Sequence, residues 1–67
     1  MQSQDLAKAL EFELQELDHR RELDSLETVV VRSFLDARGY AVPDDLIPIP
    51  NTIGGWLRWA DQSSRAG

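Results

Sequence analysis

A chain of 67 residues with no cysteine, one histidine and a net charge of −5 has room for one small domain and excludes several chemistries at once. Disulfides, thiolate zinc sites, iron–sulfur clusters and cysteine nucleophiles need a residue the chain lacks, and a single histidine cannot build a metal cluster. Twelve acidic side chains against seven basic ones disfavour nucleic acid as a partner and favour docking onto basic patches of other proteins.

From Gln4 to Leu17 the leucines fall at Leu6, Leu10, Leu14 and Leu17, which at 100° per residue gather on one narrow face with Ala7 at its edge. The spacing predicts an amphipathic helix over 4–17, with Glu11, Glu13 and Glu16 off the stripe and Phe12 pointing away from it. The stretch from Asp18 to Leu23 is mostly charged and carries no apolar stripe, so it reads as a connection, with His19 a solvated surface residue.

Asp24 is a good N-cap, and Glu27 three positions later completes a D-x-x-E capping box. Val29-Val30-Val31 could seed a strand by propensity alone. The start signal, the length and Gly39 as an αL stop after Arg38 decide for a helix over 25–38. Its apolar residues Leu26, Val29, Val30, Val31, Phe34, Leu35 and Ala37 cover more than half the circumference, so the helix is buried on two sides or keeps one apolar side for a partner.

Three prolines between Tyr40 and Pro50 exclude a long helix there and leave room for a short turn over 44–47, with Asp44 and Asp45 read as solvated. Asn51 or Thr52 caps a last helix over 52–61, where Ile53, Trp56, Leu57 and Ala60 share a face and Trp59 lies beside it. Gly54 and Gly55 weaken its first turn by about 1 kcal/mol each relative to Ala, and residues 62–67 read as a frayed tail. Trp56 is the stronger core candidate of the two tryptophans, and Val29, Val31, Leu35, Ile53 and Leu57 are expected in the core or in the apolar walls of a shelter. The expected architecture is all-α, a small bundle of three to four helices in a single domain over 1–67. No apolar run nears the roughly 18 residues of a membrane span, and the opening residues show neither a basic start nor an apolar signal core. The expected address is the cytoplasm and the expected state a monomer.

One hydroxyl stands out. Ser25 sits in the first turn of the second helix, beside free backbone N–H groups and the positive end of the helix dipole, a place that suits a phosphate ester. Asp24-Ser25-Leu26 followed by Glu27-Thr28-Val29 resembles the head of helix two in acyl carrier proteins. Val42-Pro43 after that helix and Thr52-Ile53 opening the last one are similar to the same family, so the resemblance runs from about Leu23 to Ala60. It implies an acyl-carrier-type bundle, here with a shortened first loop and a degenerate third helix.

By that resemblance Ser25 carries 4′-phosphopantetheine, attached by a phosphopantetheinyl transferase, and the chain is a phosphoprotein that holds an acyl or aminoacyl group as a thioester. Such a chain is no enzyme; loading and downstream biosynthetic enzymes with basic docking patches act on its cargo. Asp24 and Leu26 flank the attachment point, and Glu27, Val30 and Arg32 lie on or near the docking face. Glu22-Leu23 replaces the small glycine usual before the motif, Val30 stands where an acidic docking residue is common, and Arg32 falls near a position that is often apolar. These departures point to a dedicated carrier of a specialised polyketide or nonribosomal-peptide pathway, and Asn51-Thr52-Ile53 is similar to the P-T-[IV] segment of peptidyl carrier proteins. The alternative from another class is a small acidic helical interaction module with no prosthetic group, binding a partner through the second helix.

Overall fold

The computed structural model describes the backbone of residues 2–66 and the side chains of residues 5–63. Three helices follow one another, α1 (Gln2–Leu14), α2 (Ser25–Ala37) and α3 (Ile53–Ala66), and the described residues contain no strand. α1 packs against both α2 and α3, whose backbones do not approach one another. The core is built of Leu6 and Leu10 from α1, Leu23 from the connection, Val31 and Leu35 from α2, and Ile53, Trp56 and Ala60 from α3.

α1 ends a turn earlier than the leucine spacing predicts. Gln15 takes the left-handed conformation at φ 53°, and the N–H groups of Gln15 and Glu16 donate back to the carbonyls of Phe12 (3.2 Å) and Glu11 (3.0 Å). This is the double bond pattern that usually closes on glycine. A glutamine there leaves no signature in the sequence, because left-handed backbone is a cost its side chain does not advertise. Leu17 consequently leaves the stripe and is 79% exposed, while Leu14 stays half-buried.

α2 begins and ends where its local signals put it. The Asp24 carboxylate accepts from the Glu27 N–H at 2.8 Å and the Glu27 carboxylate accepts from the Asp24 N–H at 3.1 Å, a complete capping box. Gly39, at φ 94°, lets the Tyr40 N–H reach the Leu35 carbonyl (3.1 Å) and stops the helix. Between α2 and α3 there is a single reverse turn at Asp44-Asp45, closed by the Leu46 N–H on the Pro43 carbonyl at 3.1 Å. α3 is capped by Thr52, whose Oγ1 accepts from the Gly55 N–H at 3.0 Å, and it runs on to Ala66 through most of the stretch expected to fray. Gly67 lies outside the described residues.

Trp56 is fully buried, and Trp59 lies half-buried against it with the rings edge-on at 6.1 Å and Tyr40 beyond at 6.3 Å. Leu57 is half-buried rather than central. Val29 falls to the second of its two expected places, an apolar wall and not the core: it is 57% exposed, because α1 covers only the Val31–Leu35 side of α2. His19 is not the solvated residue expected. It is half-buried, its Nε2 pairs with the Glu11 carboxylate, and its carbonyl accepts from the Gly54 N–H at 3.1 Å.

Gly55 illustrates how packing reverses a helix-propensity argument. Alanine would normally gain about 1 kcal/mol over glycine inside a helix. Here a Cβ would run into the carbonyl oxygen of Pro50, a backbone atom that cannot swing aside. Gly55→Ala is therefore expected to lower stability by about 1–3 kcal/mol in a urea melt, with Gly54→Ala, whose Cβ would meet the His19 carbonyl oxygen at 3.2 Å, the milder of the two.

Candidate functional site

The head of α2 is held from three sides. From the preceding connection, the Arg21 guanidinium binds both Glu27 and Glu16, and those two carboxylates, Glu27 first, push its pKa up. Glu16 is held below the ordinary carboxylate value by the Asp18 N–H and then by Arg21. A carboxylate with a depressed folded-state pKa contributes stability above its unfolded value of 4.5 and loses it as the pH falls through the lower folded value. Wild type is thus expected to melt above Glu16→Gln at neutral pH, and the gap between their melting temperatures is expected to close on acidification below 4.5. A gap independent of pH would show that the pair contributes nothing through the charge of Glu16.

From the following loop, the carbonyls of Asp44 and Leu46 accept from Arg32 of α2, so this cation fastens the 44–46 turn to α2. From the segment that leads into α3, Asn51 accepts from the Leu23 N–H at its backbone carbonyl (2.8 Å) and donates through its side chain to Thr28 Oγ1 at 2.9 Å. These ties make the position of the first turn a property of the whole fold.

Ser25 is the first residue of α2 and is exposed. The Glu27 N–H is taken by Asp24 and the Thr28 N–H by the Asp24 carbonyl at 2.9 Å. Among the described residues, the amides of Ser25 and Leu26 are left as the open donors of this turn, at the positive end of the helix dipole. Against the serine lies an open groove of about 440 Å³ whose apolar walls come from Leu23, Val29 and Ile47 and whose polar lining includes Asn51 and Arg32. Leu26 is 75% exposed, and with the exposed Val29 and Ile47 it gives the surroundings of the hydroxyl an apolar character.

The residues named from the sequence therefore fall into two groups. Ser25, Asp24 and Leu26 are exposed at one helix head. Glu27, Val30 and Arg32 are half-buried, and the charged groups of Glu27 and Arg32 are committed to partners inside the chain. Sequence reasoning missed Leu23, Ile47 and Asn51 as parts of the site. Leu23 sits in a charged stretch, and Ile47 and Asn51 arrive from a loop distant in sequence, so no local spacing marks them.

Among the described residues no cluster of three or more acidic or histidine side chains is arranged to hold a metal ion, and no helix is long and apolar enough to cross a membrane. In comparisons with known proteins the chain matches no family model, no curated protein and no solved structure.

Proposed function

We propose that the chain is a carrier protein, with Ser25 as the attachment point of a 4′-phosphopantetheine arm and an acyl or aminoacyl group as its cargo. The observation that supports this reading best is the setting of the Ser25 hydroxyl: exposed on the first residue of a well-capped helix, beside two open backbone donors, at the edge of a groove with apolar walls. The residues present fit such a group. A phosphodiester on Ser25 would lie in the field of the α2 N-terminus, and Val29 and Ile47 offer an apolar surface to whatever is tethered there. When bound, the arm supplies a thiol on which a carboxylic acid is held as a thioester.

The chain's own part in this is recognition and presentation. The capping box keeps Ser25 at a fixed place and orientation, and exposed Leu26 and Val29 supply an apolar contact beside it. The exposed carboxylates of Glu22, Asp24, Asp44 and Asp45, within a net charge of −5, steer the chain toward partners with basic surfaces. Those partners are a phosphopantetheinyl transferase, a loading enzyme and the biosynthetic enzymes that consume the cargo. Internal commitment of Glu27 and Arg32, and Val30 in place of an acidic residue, fit a dedicated partner set of a specialised pathway.

Incubation of the purified chain with coenzyme A and a broad-specificity phosphopantetheinyl transferase, followed by intact-mass measurement, tests the proposal. A gain of one phosphopantetheine supports it. An unchanged mass, under conditions that convert a control carrier fully, overturns it and leaves the interaction module as the better reading.

A further inference from the structure

Asn51 is the residue where the loop, α3 and the head of α2 meet, and the directions of its hydrogen bonds are forced. The Trp56 indole N–H can only donate, so it must face the carboxamide oxygen, at 2.9 Å. The carboxamide nitrogen then donates to Thr28 Oγ1 at 2.9 Å, and the Thr28 hydroxyl passes its own proton to the Asp24 carbonyl at 2.7 Å. The chain of bonds runs from a fully buried core ring to the cap residue next to Ser25 without a reversal of polarity. Thr28 is itself 7% exposed and Trp56 is fully buried, so loss of the half-buried Asn51 between them leaves a buried donor or acceptor short of its partner.

The backbones of α2 and α3 stay apart, which makes this relay the polar tie between them at the serine end. Asn51 also lines the groove that Ser25 borders, and its backbone carbonyl holds Leu23, the residue before the cap, at 2.8 Å. One residue thus ties α3 to both sides of the cap, through its side chain to Thr28 and through its backbone carbonyl to Leu23, and borders the groove beside the hydroxyl.

We infer that Asn51 is a positioning residue for Ser25: through Thr28 and the Asp24 carbonyl it holds the first turn of α2 at a fixed place relative to α3, and so presents the hydroxyl to the modifying enzyme in one orientation. This inference rests on the carrier reading for its functional consequence and on the hydrogen bonds alone for its structural one. Breaking the relay loosens the first turn of α2 relative to α3, while the capping box, the Leu23–Asn51 backbone bond, the Val31–Leu35 contact with α1 and the C-terminal stop of α2 remain. The cost falls on the orientation of Ser25 and on the rate of its modification, since small displacements of a reacting group are expensive in rate.

Two readouts on full-length protein test it, with Asn51→Ala, Thr28→Val and the conservative Thr28→Ser. The first is amide hydrogen exchange on unmodified protein. In Asn51→Ala and Thr28→Val the amides of Glu27 and Thr28, both held by Asp24 in wild type, are expected to exchange about tenfold faster, those of α1 and the end of α2 are expected to keep their relative protection, and Thr28→Ser is expected to behave as wild type. The second is phosphopantetheine transfer, where kcat/KM is expected to fall about tenfold in the first two variants and to be restored in Thr28→Ser. Exchange that accelerates evenly over the whole chain would reduce Asn51 to a general stability residue and overturn the inference. Transfer at the wild-type rate in Thr28→Val, with the first turn protected, would overturn it as well. If wild type accepts no group while the exchange pattern appears as expected, the carrier reading falls and the structural role of Asn51 stands.

Discussion

Replacing Ser25 with alanine is expected to abolish the gain of phosphopantetheine completely while leaving the fold intact. The two halves of that expectation have separate physical grounds. Ser25 is exposed and the hydrogen bonds of the capping box belong to Asp24 and Glu27, not to the serine. Alanine is also the best helix former, so the substitution costs the helix nothing and its stability is expected to match wild type within about 0.5 kcal/mol. The chemical half is absolute, because a methyl group offers no oxygen to esterify. Ser33, exposed two turns further along α2, is the control: it lies inside the helix, away from the open donors and the dipole end, and Ser33→Ala is expected to be modified as wild type. Intact mass after transferase treatment reads both variants. A residual mass gain in Ser25→Ala would place the attachment elsewhere and sink the assignment of the site.

Trp56→Ala carries the largest expected loss of stability. Trp56 is fully buried at the centre of the bundle, touching the core of α3 and stacking edge-on with Trp59. Its indole N–H also anchors the Asn51 relay. Truncating a buried aromatic to alanine typically costs about 3–5 kcal/mol, and the same change leaves the Asn51 oxygen without its donor. A single core in a domain of 67 residues rarely supplies more than about 3–5 kcal/mol in total. The variant is therefore expected to be unfolded at room temperature, with the far-ultraviolet helix signal largely lost. Trp56→Phe fills most of the volume but cannot donate to Asn51, and it is expected to stay folded with a loss of about 1–2 kcal/mol. A folded, cooperative Trp56→Ala would show that the core lies elsewhere than at the meeting of Leu10, Leu35 and Ile53.

Much of this molecule was legible from the chain alone, and the legible parts share a cause. The Asp24–Glu27 capping box, the Gly39 stop, the apolar face of α3 and the breaking of helix by the prolines of residues 43–50 all depend on atoms within about four residues of one another. Residue order settles such features because the covalent chain already brings the partners together. The all-helical class follows from them, and so does the place of Ser25 at a helix head.

What needed the tertiary structure is everything decided by distant partners. Val29 belongs to an apolar run that reads as core or as apolar wall, and it faces outward because α1 covers only one side of α2. Leu23 sits among charged neighbours and is buried because the Asn51 carbonyl draws its backbone against α3. Gly55 looks like a weakness in α3 until the Pro50 carbonyl is seen where its side chain would be. Asn51 reads as a possible cap and proves to be the junction of the Trp56–Thr28 relay. Only packing brings these groups together. Burial and steric exclusion arise between segments far apart along the chain, and no local spacing encodes which of them will meet.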